Sequence, residues 1–198
     1  MLPKFYPIVP DASWAGRLAA AGVKLIQLRI KDAAPEQIPG EITKALQICS
    51  RYGCELVVND YWQAAIDCGA SFVHLGQGDL ETADAAAIRR AGLRLGISTH
   101  SHEELERALS ENPDYVALGP IYETKLKVMP WAPQGLSRIG EWKRIAKRPL
   151  VAIGGITLER APLVFEAGAD SIAVVSDVVA HPYPEQRARD WLTQFPSR

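Results

Sequence analysis

The sequence has no run of apolar residues approaching the roughly 20 that a bilayer-spanning helix needs, and it has no surplus of charge. Its 22 Lys and Arg stand against 23 Asp and Glu, a formal net charge of -1. The first absence argues against a membrane span. The second argues against partners held by bulk charge, so neither nucleic acid nor an anionic membrane is expected. The start, Met1-Leu2-Pro3-Lys4-Phe5, lacks a basic stretch followed by an apolar one, and no signal peptide is expected. Cysteine is scarce. Cys49, Cys54 and Cys68 make neither a zinc spacing nor an even disulfide set, and they read as reduced thiols of a cytoplasmic protein. No Ser-His-Asp or Cys-His arrangement is recognisable.

What is present is regular alternation. The chain has 198 residues, 47% of them hydrophobic and 23% charged, enough for one domain with a sizeable core. Short β-rich runs fall at Phe5–Pro10, Leu25–Ile30, Leu56–Asp60, Phe72–Gly76, Leu93–Thr99, Tyr115–Ile121, Leu150–Gly155 and Ser171–Ser176. Between them lie stretches of helical periodicity such as Pro35–Tyr52, Ala83–Ala91, His102–Leu109 and Leu158–Ala167. Most strands are nearly continuous apolar runs, as expected when both faces are buried. Gly22, Gly69 and Gly168 each precede a strand, in the place of an αL helix cap. The pattern predicts an α/β fold, a single (β/α)8 TIM barrel over residues 1–198. An open doubly wound sheet is the alternative, but no nucleotide fingerprint follows the first strand.

In such a barrel, polar residues at the C-terminal ends of strands are the candidates for chemistry. In Gln27-Leu28-Arg29-Ile30-Lys31, a period of two puts Gln27, Arg29 and Lys31 on one face, aimed into the barrel mouth. Cations converging there call for an anion, or for an internal ion-pair network. Asp60 follows the third strand and Asp79 the fourth; two carboxylates with substrate oxygens suit Mg²⁺, whereas either alone could cap a helix. Ser98 can donate to a phosphate. Ser101 and Glu104 fit a capping box, and His100 and His102 read as solvated side chains rather than a metal pair. Gly155 after strand 7 and Ser176 after strand 8 fit an amide cradle for a second phosphate. A long loop with two prolines, between Ile121 and Leu136, follows strand 6 on the same face and is expected to be functional. Two anion sites suit a reaction that joins a diphosphate to a monophosphate.

Taken in order, Gln27-Leu28-Arg29-Ile30-Lys31, Asn59-Asp60, His74-Leu75-Gly76-Gln77-Gly78-Asp79-Leu80, Gly96-Ile97-Ser98-Thr99-His100, Gly119-Pro120-Ile121 and Ala152-Ile153-Gly154-Gly155-Ile156 resemble the thiamine phosphate synthase family over essentially the whole chain. The resemblance implies an enzyme that couples a hydroxymethylpyrimidine diphosphate to a thiazole phosphate and releases pyrophosphate. It implies that the segment Gln27, Leu28, Arg29, Ile30, Lys31 and also Asn59 bind the pyrimidine diphosphate, helped by Ser98 and Lys127. Arg29, Lys31, Ser98 and Lys127 would assist its departure. By the same likeness Asp60 and Asp79 would hold Mg²⁺, and Thr124, Gly155, Val175 and Ser176 the thiazole phosphate. After strand 6 the family usually shows Pro-Thr-x-Thr-Lys; this chain reads Glu123-Thr124-Lys125-Leu126-Lys127, without the second threonine. Rival readings are a thiazole tautomerase, a Schiff-base aldolase on Lys31 or Lys127, and a barrel that only binds thiamine intermediates. The tautomerase places a catalytic histidine where this chain has Pro120.

Overall fold

The computed structural model describes residues 2–124 and 131–196. Eight parallel strands close into a barrel in chain order: β1 (Phe5–Val9), β2 (Leu25–Leu28), β3 (Glu55–Asn59), β4 (Phe72–Leu75), β5 (Arg94–Thr99), β6 (Tyr115–Leu118), β7 (Leu150–Ile153) and β8 (Ser171–Val174). β8 pairs with β1 through Phe5 opposite Ile172 and Pro7 opposite Val174, which closes the ring. The expected barrel is therefore what forms, with helices between successive strands.

Strand periodicity divides the buried residues into two layers. Tyr6, Ile8, Leu25, Val57, Phe72, Tyr115, Ala117, Val151 and Ala173 fill the inside of the barrel. The strand residues out of phase with them, such as Ile26, Leu28, Leu56, Val58, Val73 and Leu75, pack outward against the helices. This alternation points Gln27, Asn59, His74 and Ser98 inward above the interior layer.

Helix ends follow local chemistry. The Pro35 segment opens as a tight turn, Pro35–Gln37, before the helix Ile38–Arg51. Asp84 caps the helix Ala85–Arg90 by accepting from Ala87 N at 2.8 Å. Gly22, Gly69 and Gly168 have φ of 105°, 73° and 110°, so the expected left-handed caps are present. No helix among the described residues is long and apolar enough to cross a membrane.

The C-terminal helix, Pro184–Gln194, is fastened to the end of β8 by Asp177. That carboxylate accepts from Arg187 at 2.8 and 3.0 Å and from Trp191 Nε1 at 2.6 Å. Trp191 in turn stacks on Phe5 of β1, ring centroids 4.8 Å apart. The Asp177 side chain is only 7% exposed and that of Arg187 13%. Asp177→Ala leaves Trp191 Nε1 without its acceptor and Arg187 with Glu159 alone, at 2.8 Å, so it should lower stability by about 1–3 kcal/mol. Urea unfolding followed by circular dichroism measures this; a loss under 1 kcal/mol would mean that the helix is held by packing alone.

Candidate active site at the barrel mouth

The C-terminal ends of the strands surround a cavity of about 780 Å³. Gln27, Arg29, Lys31, Asn59, Asp60, Asp79, Ser98, Thr124, Gly155, Val175 and Ser176 all line it, so residues spread over most of the chain meet at one mouth. Leu28 does not join them. Its side chain points outward into the helix-facing core, because it lies one residue out of phase with Gln27 and Arg29. Ile30 likewise packs in the outer layer, and it borders a neighbouring cavity of about 670 Å³ that shares Arg29 and Lys31 with the main one. The same alternation that aims the polar residues inward turns these two side chains away from the main cavity. Lys125, Leu126 and Lys127 lie outside the described residues.

Asp60 and Asp79 face each other across the mouth. Asp60 adopts a left-handed backbone, φ 66°, which an aspartate tolerates better than most residues. Its N–H donates to His74 O at 2.9 Å, tying the turn to β4. The helix after Asp60, Trp62–Asp67, has Tyr61 at its N-cap and no side-chain hydrogen bond there; Asp79 lies inside Gln77–Leu80, and the next helix, Ala85–Arg90, is capped by Asp84, so neither aspartate serves as the cap that was the alternative reading. Burial first, and then the charge and hydrogen bond of Asp79, push the Asp60 carboxyl up to about 6; Arg29 and Asn59 oppose this. Two carboxylates held this close would be stabilised by a cation between them. Among the described residues no group of three or more His, Cys, Asp or Glu is gathered for a metal, so any ion here would take its remaining ligands from substrate and water.

His74 is 6% exposed, and burial, aided by the charge of Arg29, lowers its pKa to about 4. Between pH 4 and 6.5 the unfolded chain binds the proton that folded His74 refuses, so this group makes stability rise with pH. Asp60 acts in the opposite sense. Folded Asp60 keeps its proton up to about 6 while the unfolded carboxyl loses it near 3.8, so stability falls as pH rises through that range. The two contributions offset each other between about pH 4 and 6. Asp60→Asn should unmask the His74 term and steepen the pH dependence there, toward about 1.4 kcal/mol per pH unit. Urea midpoints at pH 4.5 and 6 would show it, and an unchanged slope would contradict the assignment.

At β5 the expected capping box is only half formed. Ser101 does cap the helix His102–Ser110, accepting from Glu104 N at 3.3 Å. Glu104, however, reaches back to His100, accepting from its backbone N–H at 2.7 Å and contacting Nδ1 at 2.8 Å. His100 stacks with Trp131 and lines the cavity, so it is a mouth residue rather than a solvated one. His102, the other half of that reading, contacts Glu141 at 2.8 Å and remains at the surface. Gln77 donates to Ser98 O at 2.6 Å. Motif spacing gives His74 and Gln77 no role, and Trp131 lies in the loop after strand 6, whose residues the sequence does not aim. Period two in β4 marks His74 as inward, but its partners come from β5 and β6 and could not be read locally.

The Gly154-Gly155 pair brings two segments of backbone together. Both glycines have positive φ, 95° and 65°. A Cβ on Gly154 would lie 2.6 Å from Pro120 Cα, and one on Gly155 2.4 Å from the Glu123 carbonyl oxygen. Only glycine lets the loop after β6, with Thr124, sit over the end of β7.

Fold and site together define a (β/α)8 barrel with a cationic, dicarboxylate mouth and a glycine-lined second side, the layout of an enzyme that handles phosphorylated small molecules. The family model described as thiamine monophosphate synthase matches residues 6–178, and the chain belongs to that family. A thiamine-phosphate synthase of Rhizobium etli is 58% identical over 192 residues, covering 96% of this chain and 94% of that one. One from Enterobacter sp. strain 638 is 49% identical, covering 94% and 85%. Among solved structures, a thiamine phosphate pyrophosphorylase from Pyrococcus furiosus superposes with a TM-score of 0.82 at 26% identity, covering 98% of this chain and 97% of that one.

Proposed function

We propose that the whole chain, residues 1–198, is one catalytic barrel, a transferase that condenses 4-amino-2-methyl-5-(diphosphooxymethyl)pyrimidine with a thiazole phosphate. The products are thiamine phosphate and pyrophosphate. The observation that carries this reading is the convergence of Gln27, Arg29, Lys31, Asn59 and Ser98 with Asp60 and Asp79 in one mouth, beside Thr124, Gly155 and Ser176.

Arg29 and Lys31 meet the diphosphate and stabilise the charge that gathers on it as the methylene C–O bond breaks. The bonding electron pair leaves with pyrophosphate, and the pyrimidine carries the resulting carbocation. The thiazole nitrogen lone pair then forms the new C–N bond. No proton transfer or enzyme nucleophile is required, which agrees with the lack of a nucleophile–base pair in the motifs. Asp60 and Asp79 would hold Mg²⁺, which supplies further positive charge to the departing pyrophosphate. Gln27, Asn59 and Ser98 orient the pyrimidine diphosphate, while Thr124, the Gly155 backbone, Val175 and Ser176 cradle the thiazole phosphate, aligning the two reactants. Such a reaction involves small molecules in a cytoplasmic setting and requires neither nucleic acid nor a membrane.

The test is direct: purified protein, both substrates, with and without Mg²⁺. Thiamine phosphate should form with the metal and fall to background with chelator. If none forms, a barrel that only binds thiamine intermediates becomes the better account. Turnover of a thiazole carboxylate phosphate without any pyrimidine would instead support a tautomerase. Pro120 lines the cavity at the place that activity would assign to histidine.

A further inference from the structure

Beneath the mouth, the barrel interior carries a chain of polar groups that the motif residues do not explain. Tyr6 on β1 donates its hydroxyl to Tyr115 on β6 at 3.4 Å. The Tyr115 hydroxyl lies 2.7 Å from His74 Nδ1, and His74 Nε2 lies 2.8 Å from Ser98 Oγ. The Gln27 amide also bonds the Tyr115 hydroxyl and acts there as donor. Tyr6 and Tyr115 are 1% and 0% exposed, so water does not complete these bonds. Gly96 makes the arrangement possible. It pairs in register with His74 on one side and Tyr115 on the other, and a Cβ there would come within 2.1 Å of the Tyr115 ring.

We infer that His74 is a positioning residue which, with Tyr115 behind it, turns the Ser98 hydroxyl outward as a hydrogen-bond donor to an anionic oxygen of the substrate. The direction follows from counting donors and acceptors. The Tyr115 oxygen receives hydrogen bonds from Tyr6 and Gln27, which occupy its two lone pairs. Its own proton then goes to the remaining neighbour, His74 Nδ1. A neutral imidazole that accepts at Nδ1 carries its proton at Nε2, and Nε2 faces Ser98 Oγ. Ser98, receiving that bond, keeps its O–H for a partner in the cavity, where Arg29 and Lys31 gather negative charge. The reverse order fails. With Nδ1 as donor, the Tyr115 proton could go only to the Tyr6 oxygen, and the buried Tyr6 O–H, which meets no other acceptor among the described residues, would be left unpaired. A serine left to choose would divide its proton between His74 and the ligand; the chain removes that choice and pre-organises the site.

The inference rests on the assignment of Ser98 to the diphosphate side of the mouth, and two measurements separate the one from the other. Imidazole ¹⁵N shifts of histidine-labelled protein at pH 8, without ligand, should show His74 protonated at Nε2 and bare at Nδ1. Protonation at Nδ1 overturns the inference, whatever the enzyme's activity. The second measurement is calorimetric binding of inorganic pyrophosphate with Mg²⁺. Tyr115→Phe and His74→Leu should each weaken it at least fivefold, while His74→Gln, whose amide can donate from near the Nε2 position, should stay within twofold of wild type. In a Ser98→Ala background, Tyr115→Phe and His74→Leu should change the affinity less than twofold. A full loss in that background would show that the network acts through packing, and the positioning role would fall. If wild type binds no pyrophosphate but His74 shows the Nε2–H form, the assignment of the mouth has failed while the direction of the chain stands.

Discussion

Replacing Gly155 by alanine should cost about 2–5 kcal/mol of stability and raise the KM for the thiazole phosphate at least tenfold, with a much smaller effect on the pyrimidine diphosphate. Two costs combine. Residue 155 has φ of 65°, a conformation that costs an L-residue about 1–2 kcal/mol. The added methyl would also lie 2.4 Å from the Glu123 carbonyl oxygen and 2.8 Å from Tyr122 Cβ. The nearest of these atoms is backbone, so rotating a side chain does not relieve the contact, and overpacking of this kind costs about 1–3 kcal/mol. The chain must respond by lifting the loop after β6. That loop is bonded to β7 and its end through Ile121 N to Ile153 O and Tyr122 N to Gly154 O, at 2.9 and 3.0 Å. It also carries Thr124 into the cavity. The diphosphate side, built on β2 to β5, is supported by other strands and should keep its geometry. Steady-state kinetics with each substrate varied in turn, together with thermal unfolding, tests this. A destabilised variant with an unchanged KM for the thiazole phosphate would show that Gly155 serves only packing and that the cradle lies elsewhere.

The same two glycines illustrate what the sequence makes legible. Their place after the seventh apolar run is visible in the order of strands, since eight runs with inward and outward alternation leave few ways to fold. Gln27, Asn59 and Ser98 could be aimed into the mouth for the same reason. Ile30 and Leu28 sit in the same motif yet point away, and period two already implies it. What the loop after β6 rests upon is not local information, because the contact of Gly155 with Glu123 joins segments that meet only once the barrel closes. The chain from Tyr6 to Ser98 is hidden for the same reason: its members come from β1, β4, β5 and β6, and an isolated tyrosine in an apolar run reads as core. Asp177 lies just past the last apolar run, and its partners Arg187 and Trp191 lie on a largely polar helix that strand patterning does not reach. Sequence periodicity gives the direction of a side chain, and closure of the barrel decides what it meets.

Asp60→Asn should lower kcat/KM by about 10²–10³-fold and raise the Mg²⁺ needed for half-maximal rate at least tenfold, while making the protein harder to unfold at pH 8. These effects are expected to run in opposite directions because Asp60 is held in a place that disfavours its charge. Burial and the neighbouring Asp79 push its carboxyl up to about 6, so at pH 8 the folded protein maintains an ionised group at a cost. Asparagine fits the left-handed backbone of residue 60 and removes the repulsion. It also removes one of two anionic ligands, and a lone carboxylate holds a divalent ion less well. Asp79→Asn should likewise weaken Mg²⁺ activation, relieving the same pair from its other side. A structural role predicts the reverse pattern: loss of a cap would lower stability and leave the metal requirement alone. Rates across a Mg²⁺ titration and urea midpoints at pH 8 distinguish the two. Unchanged Mg²⁺ dependence in both variants would remove the metal site from this mouth, whereas a variant that is more stable and less active places these carboxylates among residues kept for function at the expense of the fold.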